Sequence, residues 1–188
     1  MAKLIVFDLE TKKLADEVGG WSHIDRMGFA AGVTYDVGAD AYERFTEAQA
    51  DELIQRLIQA EQIIGFNLIR FDYAVLRPYG FQVTDGVRDK STDLLLDIYQ
   101  ALGFRIGLDN LAEATLKESK SADGLDSVKW FREGKIDQVL DYCEQDVRIT
   151  YKLWAFGVAQ GYVRYSDRRG NGHQVKVNWA LPARLPGF

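Results

Sequence analysis

A short apolar segment near the start of the chain, Leu4-Ile5-Val6-Phe7, most constrains the fold. Its β-branched and aromatic residues are typical of a strand, and the lack of polar alternation predicts that both faces of this strand are buried. A strand of that kind belongs to a sheet that is covered on both sides. The sequence therefore predicts an α/β fold with a central sheet between layers of helices.

The rest of the chain predicts further strands and then helices. Strands are expected over 28–37, 41–45 and 62–66, and helices near 69–78, 93–102 and 109–117 and over 136–156. Thr46 and Gln49 have the spacing of a capping box for a helix through Gln59. Asp93 and Asp97 are interpreted as capping or exposed residues, with support of a site as the alternative. This order predicts one domain, 1–188, with a mixed sheet flanked by helices.

Two carboxylates, Asp8 and Glu10, directly follow the first strand. Side chains alternate along a strand, so both are expected on one face, roughly 6 to 7 Å apart along it. Carboxylates placed together at a strand end repel each other and need a cation. The alternative is a solvated acidic turn, since a motif as short as Asp-x-Glu also arises by chance.

A second acidic position follows the strand at 62–66, which ends at Asn67. Apolar residues beyond it recur at helical spacing and predict a helix with Asn67 as its N-cap. Asp72 lies one to two turns into that helix, where it can face the strand ends at which open α/β sheets bind ligands. The alternative is an exposed carboxylate between two arginines.

The third position lies in the segment 136–156, whose apolar residues have the spacing of a long buried helix. Tyr142 and Asp146 are four residues apart, so they share one face with about 5 to 6 Å between their Cβ atoms. Such a pair can also be a hydrogen-bonded pair of the core. With Asp8, Glu10 and Asp72, Asp146 completes a set of four acids that folding can bring to one metal site.

These segments resemble, in this order, the three motifs of the DEDD 3′-to-5′ exonucleases, which belong to the ribonuclease H-like superfamily. The motifs are Phe7-Asp8-Leu9-Glu10-Thr11, Asn67-x-x-x-Phe71-Asp72 and Tyr142-x-x-x-Asp146. The text at 107–112 and 120–124 is similar too, so the resemblance covers about residues 3 to 156. It is nearest to the exonuclease domain of family B DNA polymerases and implies a ribonuclease H-like sheet.

One position distinguishes the two branches of this family. One branch has a histidine five residues before the last aspartate, and the other has a tyrosine four residues before it. Here those positions hold Asp141 and Tyr142, and the histidines, His23 and His173, lie elsewhere. The chain therefore resembles the tyrosine branch.

The resemblance implies a two-metal mechanism for hydrolysis of phosphodiester bonds from the 3′ end of single-stranded DNA or RNA. Asp8 would bridge two Mg²⁺ or Mn²⁺ ions, Glu10 and Asp146 would assist at one of them, and Asp72 would act at the other through water. Tyr142 would orient the attacking water by hydrogen bonding. A catalytically inactive module that binds nucleic acid or a partner protein is the alternative, because some members of the superfamily keep the fold without the chemistry.

Residues beside these motifs are candidates for contact with the substrate. The motifs themselves suggest Leu9, Thr11, Asn67 and Phe71. Trp21, in the inserted loop 12–26, could stack on a terminal base, as aromatic side chains do with single strands, or merely pack over its loop.

The last part of the chain is basic. From residue 160 onward, five positive residues stand against one negative residue, so this part carries +4 while residues 1–159 carry −9 of the net charge of −5. Alternating residues around 169–172 predict a β-hairpin, with a tail at 160–188 appended to the core and an irregular end at 182–187. Tyr162, Tyr165 and Trp179 could guide a nucleic-acid strand there. The alternative is a charged edge strand that discourages aggregation.

Composition sets the remaining expectations. The chain has 188 residues, is 47% hydrophobic and has one cysteine, which suits a globular domain of a reducing cytoplasm. No apolar run is long enough to span a membrane, and no signal peptide is recognised at the start. Preference for DNA or RNA stays open, and so does any partnership in trans with a polymerase or a helicase.

Overall fold

A five-stranded mixed sheet forms the centre of the protein, in a computed structural model that describes residues 3–118 and 124–181. The strands are β1 (Leu4–Thr11), β2 (Phe29–Asp36), β3 (Ala41–Thr46), β4 (Gln62–Gly65) and β5 (Ser91–Asp93). Their order is β3-β2-β1-β4-β5. β2 is antiparallel to β1 and β3, whereas β4 is parallel to β1 and β5. The predicted α/β fold with a mixed sheet is confirmed.

Helices cover both faces of this sheet. The α-helices of the described residues are α1 (Ala50–Gln59), α2 (Tyr73–Leu76), α3 (Asp85–Asp89), α4 (Leu94–Leu102), α5 (Leu108–Leu116), α6 (Gly124–Arg132) and α7 (Ile136–Gln160). The predicted helices at α1, α4, α5 and α7 are confirmed with small shifts of their ends. β5, α3 and α6 were not predicted; β5 and α3, with three and five residues, are too short to carry a periodic signal.

Shorter helical turns fill the connections. Two 3₁₀ turns, Ala15–Val18 and Trp21–Arg26, form the inserted loop after β1. The single helix predicted near 69–78 is instead a π-helical turn, Leu68–Asp72, followed by α2 and a 3₁₀ turn, Arg77–Tyr79. Asp72 therefore ends an irregular turn and lies directly before α2.

The alternation of β1 decides which side chains meet which helices. Leu4 and Val6 pack in a core with α4, α5 and α7, whereas Ile5, Phe7 and Leu9 pack in a second core with α1 and α2. Asp8 and Glu10 continue the first set, because side chains two residues apart share a face. Both carboxylates therefore project toward α7.

The prediction that Asn67 is a helix N-cap is wrong. Asn67 has a left-handed backbone, with φ of 72°, and its side chain caps no backbone N–H. Its Oδ1 instead accepts a hydrogen bond from Arg105 at 2.8 Å. Asp93 takes the capping role, because its carboxylate accepts from the backbone N–H groups of Asn67, Ile69 and Leu96 at 2.9, 3.0 and 3.2 Å.

The C-terminal hairpin is confirmed as a separate two-stranded antiparallel sheet of β6 (Tyr162–Ser166) and β7 (Gly172–Lys176). It is joined to α5 by paired hydrogen bonds: the Asn110 side chain bonds the backbone of Ser166 at 2.9 and 2.8 Å, and Thr115 bonds that of Arg164 at 2.9 and 2.8 Å. The hairpin therefore has a defined position against the core.

Two predictions fall outside the described residues: the similar text at 120–123 and the irregular end at 182–187. No helix within 3–118 and 124–181 is both long enough and apolar enough to cross a membrane.

Candidate active site

Three carboxylates converge where β1 ends against α7. One oxygen atom from each of Asp8, Glu10 and Asp146 lies within 4.8 Å of the others. Glu10 and Asp146 are buried, at 8% and 6% exposure, and Asp8 is half-buried. Three negative groups this close destabilise one another unless a cation lies between them. Carboxylate oxygens are the ligands that Mg²⁺ and Mn²⁺ prefer, so this triad could bind such an ion.

The backbone of β1 is irregular beside these carboxylates. Glu10 pairs with Ala31 of β2 but Thr11 pairs with Phe29, so the register shifts between Glu10 and Thr11. A shift of this kind bends a strand and redirects its side chains. The strand thus ends its regular pairing next to the carboxylates that it presents.

Cys143 lies between β1 and α7 at the same place. Its Sγ is 3.2 Å from the carbonyl oxygen of Asp8 and 3.6 Å from Oδ2 of the same residue. Burial raises the pKa of this thiol, and the carboxylates of Asp8 and Glu10 raise it further. Cys143 is therefore a neutral donor that ties the helix of Asp146 to the strand of Asp8.

Asp72 lies outside the triad and is almost completely buried, at 2% exposure. Its Oδ1 has no hydrogen-bond partner among the described residues. Burial raises the pKa of Asp72 well above its ordinary value, and repulsion from Asp8 and then Asp93 adds to the shift. A buried carboxylate oxygen without a partner, repelled by a neighbouring acid, is the arrangement expected beside a cation site.

Tyr142 lies four residues before Asp146 on α7 and is buried at 5% exposure. Its ring packs edge-on against Trp130 of α6, with 6.1 Å between the ring centroids. α6, an element that the sequence pattern does not predict, therefore holds the ring of Tyr142 through this edge-on contact.

A cavity of about 570 Å³ opens over the triad. Of the residues predicted to contact substrate, Leu9, Thr11, Phe71 and Trp21 line it. Trp21 is 61% exposed, and its ring is tilted against that of Phe71 at 6.3 Å between centroids. Asn67 does not line this cavity but lines a neighbouring one of about 270 Å³.

The far wall of the cavity comes from α6. Leu125 and Val128 line it, and Leu125 is 63% exposed at its mouth. An ion pair between Arg132 of α6 and Glu17 of the inserted loop joins the two rims. The spacing of Leu125 and Val128 by three residues is a sequence signal for this wall.

Tyr165 and Trp179 do not offer free faces for stacking. They are buried at 9% and 7% exposure. Tyr165 stacks on His173, and Nε1–H of Trp179 donates to Oδ2 of Asp97 at 2.9 Å. These two rings therefore fasten the C-terminal segment to the core, and their burial does not favour stacking on a nucleic-acid strand.

The fold and site together define an α/β domain with an acidic cleft at the end of its first strand, the class that includes the RNase H-like proteins. The family profile of the RNase_H superfamily matches residues 5–156, well over half of the 188 residues. The chain therefore belongs to the RNase_H superfamily, whose members are commonly nucleases. No curated protein gives a significant match.

Proposed function

We propose that the chain is a metal-dependent 3′-to-5′ exonuclease that hydrolyses phosphodiester bonds of DNA or RNA. The observation that carries this proposal is the convergence of Asp8, Glu10 and Asp146 within 4.8 Å in an RNase H-like fold. The three motifs support the tyrosine branch of the DEDD exonucleases, similar to the exonuclease domain of family B DNA polymerases.

The residues present fit a divalent metal. Asp8, Glu10 and Asp146 would hold Mg²⁺ or Mn²⁺, and Asp72, with its buried and unbonded Oδ1, would contribute to a second position. Bound there, such ions supply the Lewis acid that lowers the pKa of water and stabilises the leaving oxygen in phosphodiester hydrolysis.

The chain's own side chains would position the substrate and the water. Tyr142, one helical turn from Asp146, can accept from or donate to an attacking water through its hydroxyl. Neither histidine is among the residues that line the cavity in the described chain. Trp21 and Leu125 both line the cavity and expose apolar surface, which suits a terminal base.

The test uses single-stranded DNA and RNA labelled at the 5′ end, incubated with Mg²⁺ or Mn²⁺. The wild-type protein is expected to produce a ladder of products that shorten stepwise. Asp8→Asn and Asp146→Asn are expected to abolish shortening, whereas Asp141→Asn, an exposed carboxylate on the same helix, should retain it.

A 3′-phosphorothioate linkage sets the direction. If the 3′ end enters the site, this linkage should slow the first cleavage relative to an unmodified strand. An unchanged rate, with the 5′ label released as a mononucleotide, would contradict the proposal. Binding of either strand without any shortening would instead indicate the catalytically inactive module.

A further inference from the structure

A second and larger cavity, of about 760 Å³, lies away from the acidic triad. It is formed between the loop joining α4 to α5 and the turn of the β6–β7 hairpin. Phe104 and Arg105 line it from the loop, and Arg168 and Arg169 line it from the turn. Phe104 is 47% exposed. The lining of this cavity therefore combines three arginines with an accessible aromatic ring, in a protein whose net charge is −5.

The acid in the lining, Asp167, is turned into the hairpin. Its Oδ1 accepts the backbone N–H groups of Arg169 and Asn171 at 2.8 and 2.9 Å. Its Oδ2 bonds the His173 ring at 3.0 Å. Asp167 thus orders the turn, while Arg168 and Arg169 form no ion pair among the described residues. A charged edge strand that only discouraged aggregation would not require its arginines to line a cavity.

Arg105 is shared by this cavity and the smaller cavity that Asn67 lines. The smaller one is the cavity of about 270 Å³ described above, which we call the intermediate cavity. Arg70 and the 44%-exposed ring of Tyr99 line the same cavity. The guanidinium of Arg105 is held by the 2.8 Å hydrogen bond to Oδ1 of Asn67. Asn67 precedes the π-helical turn, in which Arg70 lines the intermediate cavity and Phe71 lines the acidic one. The first two cavities therefore share Arg105, and the second and the acidic one are lined by adjacent residues of a single turn.

We propose that the cavities of about 760 and 270 Å³ bind single-stranded nucleic acid whose 3′ end occupies the acidic cleft. They would hold the nucleotides on the 5′ side of that end. This inference rests on the proposed function. Arginines contact phosphates and aromatic rings stack on bases of any sequence, which is the chemistry of a sequence-independent single-strand channel. A protein of net negative charge needs such a local basic patch, because its overall field repels a polyanion.

The test measures binding by fluorescence anisotropy in EDTA, so that no strand is hydrolysed. The probes are fluorescein-labelled oligothymidylates of about 4 and about 16 nucleotides. The Arg168→Ala/Arg169→Ala variant is compared with wild type and with Arg77→Ala/Arg88→Ala, two exposed arginines that line none of the three cavities. Melting temperatures check that all the variants fold.

Two lost phosphate contacts should weaken binding of the longer strand roughly 25-fold at about 0.1 M salt and flatten the slope of log K against log salt by about 1.4. The shorter strand should be bound equally by all three proteins. Phe104→Ala should weaken the longer strand about fivefold or more with an unchanged salt slope, because stacking releases no counterions. Binding of an RNA strand of equal length tests whether the surface distinguishes the sugar. Binding of a DNA duplex of equal length tests whether it prefers single strands.

The possible failures are distinguishable. If wild type shortens strands but the Arg168/Arg169 variant binds the longer strand with unchanged affinity and slope, the channel is overturned and the exonuclease proposal stands. If wild type shortens nothing while the variant loses binding, the surface binds nucleic acid and the exonuclease proposal fails. If the Arg168/Arg169 variant loses as much affinity for the duplex as for the single strand, the assignment of this surface to single strands is overturned.

Discussion

The carboxylate of Asp93 accepts the backbone N–H of Asn67 at 2.9 Å, which ties the end of β5 to the turn that carries Asp72. Its second oxygen accepts the N–H of Ile69 at 3.0 Å. The same carboxylate caps α4 through Leu96. One buried side chain thus sets the position of a candidate metal ligand in a neighbouring segment.

Replacing Asp93 should therefore lower both stability and activity. Asp93→Ala leaves three backbone N–H groups without their acceptor, so we expect the free energy of unfolding in urea to fall by at least about 2 kcal/mol. Asp93→Asn, which keeps one oxygen, should lie between Ala and wild type. Asp85→Ala, at an exposed position on α3, is the control. A wild-type denaturation curve for Asp93→Ala would contradict this role.

Divalent metal should stabilise the fold through the triad. Binding to the folded state alone adds about 2.7 kcal/mol at a hundredfold excess over Kd, so the melting temperature should rise on replacing EDTA with millimolar Mn²⁺ or Mg²⁺. Asp8→Asn and Asp146→Asn should lose most of this rise, whereas Asp141→Asn should keep it. Identical melts of wild type in EDTA and in metal would count against a metal site.

Asp72 should make the metal-free protein less stable as the pH rises. Because its folded-state pKa lies above the ordinary 3.8, the folded protein binds this proton more tightly than the unfolded chain does. The free energy of unfolding in EDTA should therefore fall from about pH 3.8 upward through the raised pKa.

Asp72→Asn isolates this effect, because it removes the titrating group and keeps its shape. In EDTA the variant should be more stable than wild type at neutral pH, and the difference should vanish below the ordinary pKa of 3.8. Asp16→Asn, at an exposed carboxylate on the cavity wall, is the matched control. Destabilisation of Asp72→Asn in EDTA at pH 7 would refute the interpretation.

Removing the hydroxyl of Tyr142 should affect turnover more than folding. A residue that orients the attacking water contributes about 10²-fold or more to the rate, so we expect Tyr142→Phe to lower kcat by that factor. The ring still packs on Trp130, so the melting temperature and its rise with Mn²⁺ should stay close to wild type. Tyr151→Phe, on the same helix, should leave kcat unchanged. Equal kcat values for both variants would assign Tyr142 to packing.

The sequence by itself determined four of the five strands of the sheet, the long helix and the set of acids. A strand with no polar residue over Leu4 to Phe7 must be covered on both faces, and its period of two puts Asp8 and Glu10 on one side. The period of α7 likewise puts Tyr142 and Asp146 on one face. These inferences succeed because each depends on a repeat that is local in the chain.

Only the tertiary structure decided what those acids face. Asn67 was predicted to cap a helix, yet the cap comes from Asp93, twenty-six residues later and on an adjacent strand. The burial of Asp72 and the wall formed by α6 also depend on contacts between distant segments. So does the cavity that Arg105 lines together with the hairpin turn. Side-chain periodicity records which face of an element is buried, but not which other element covers it, because that choice depends on how all the elements pack at once.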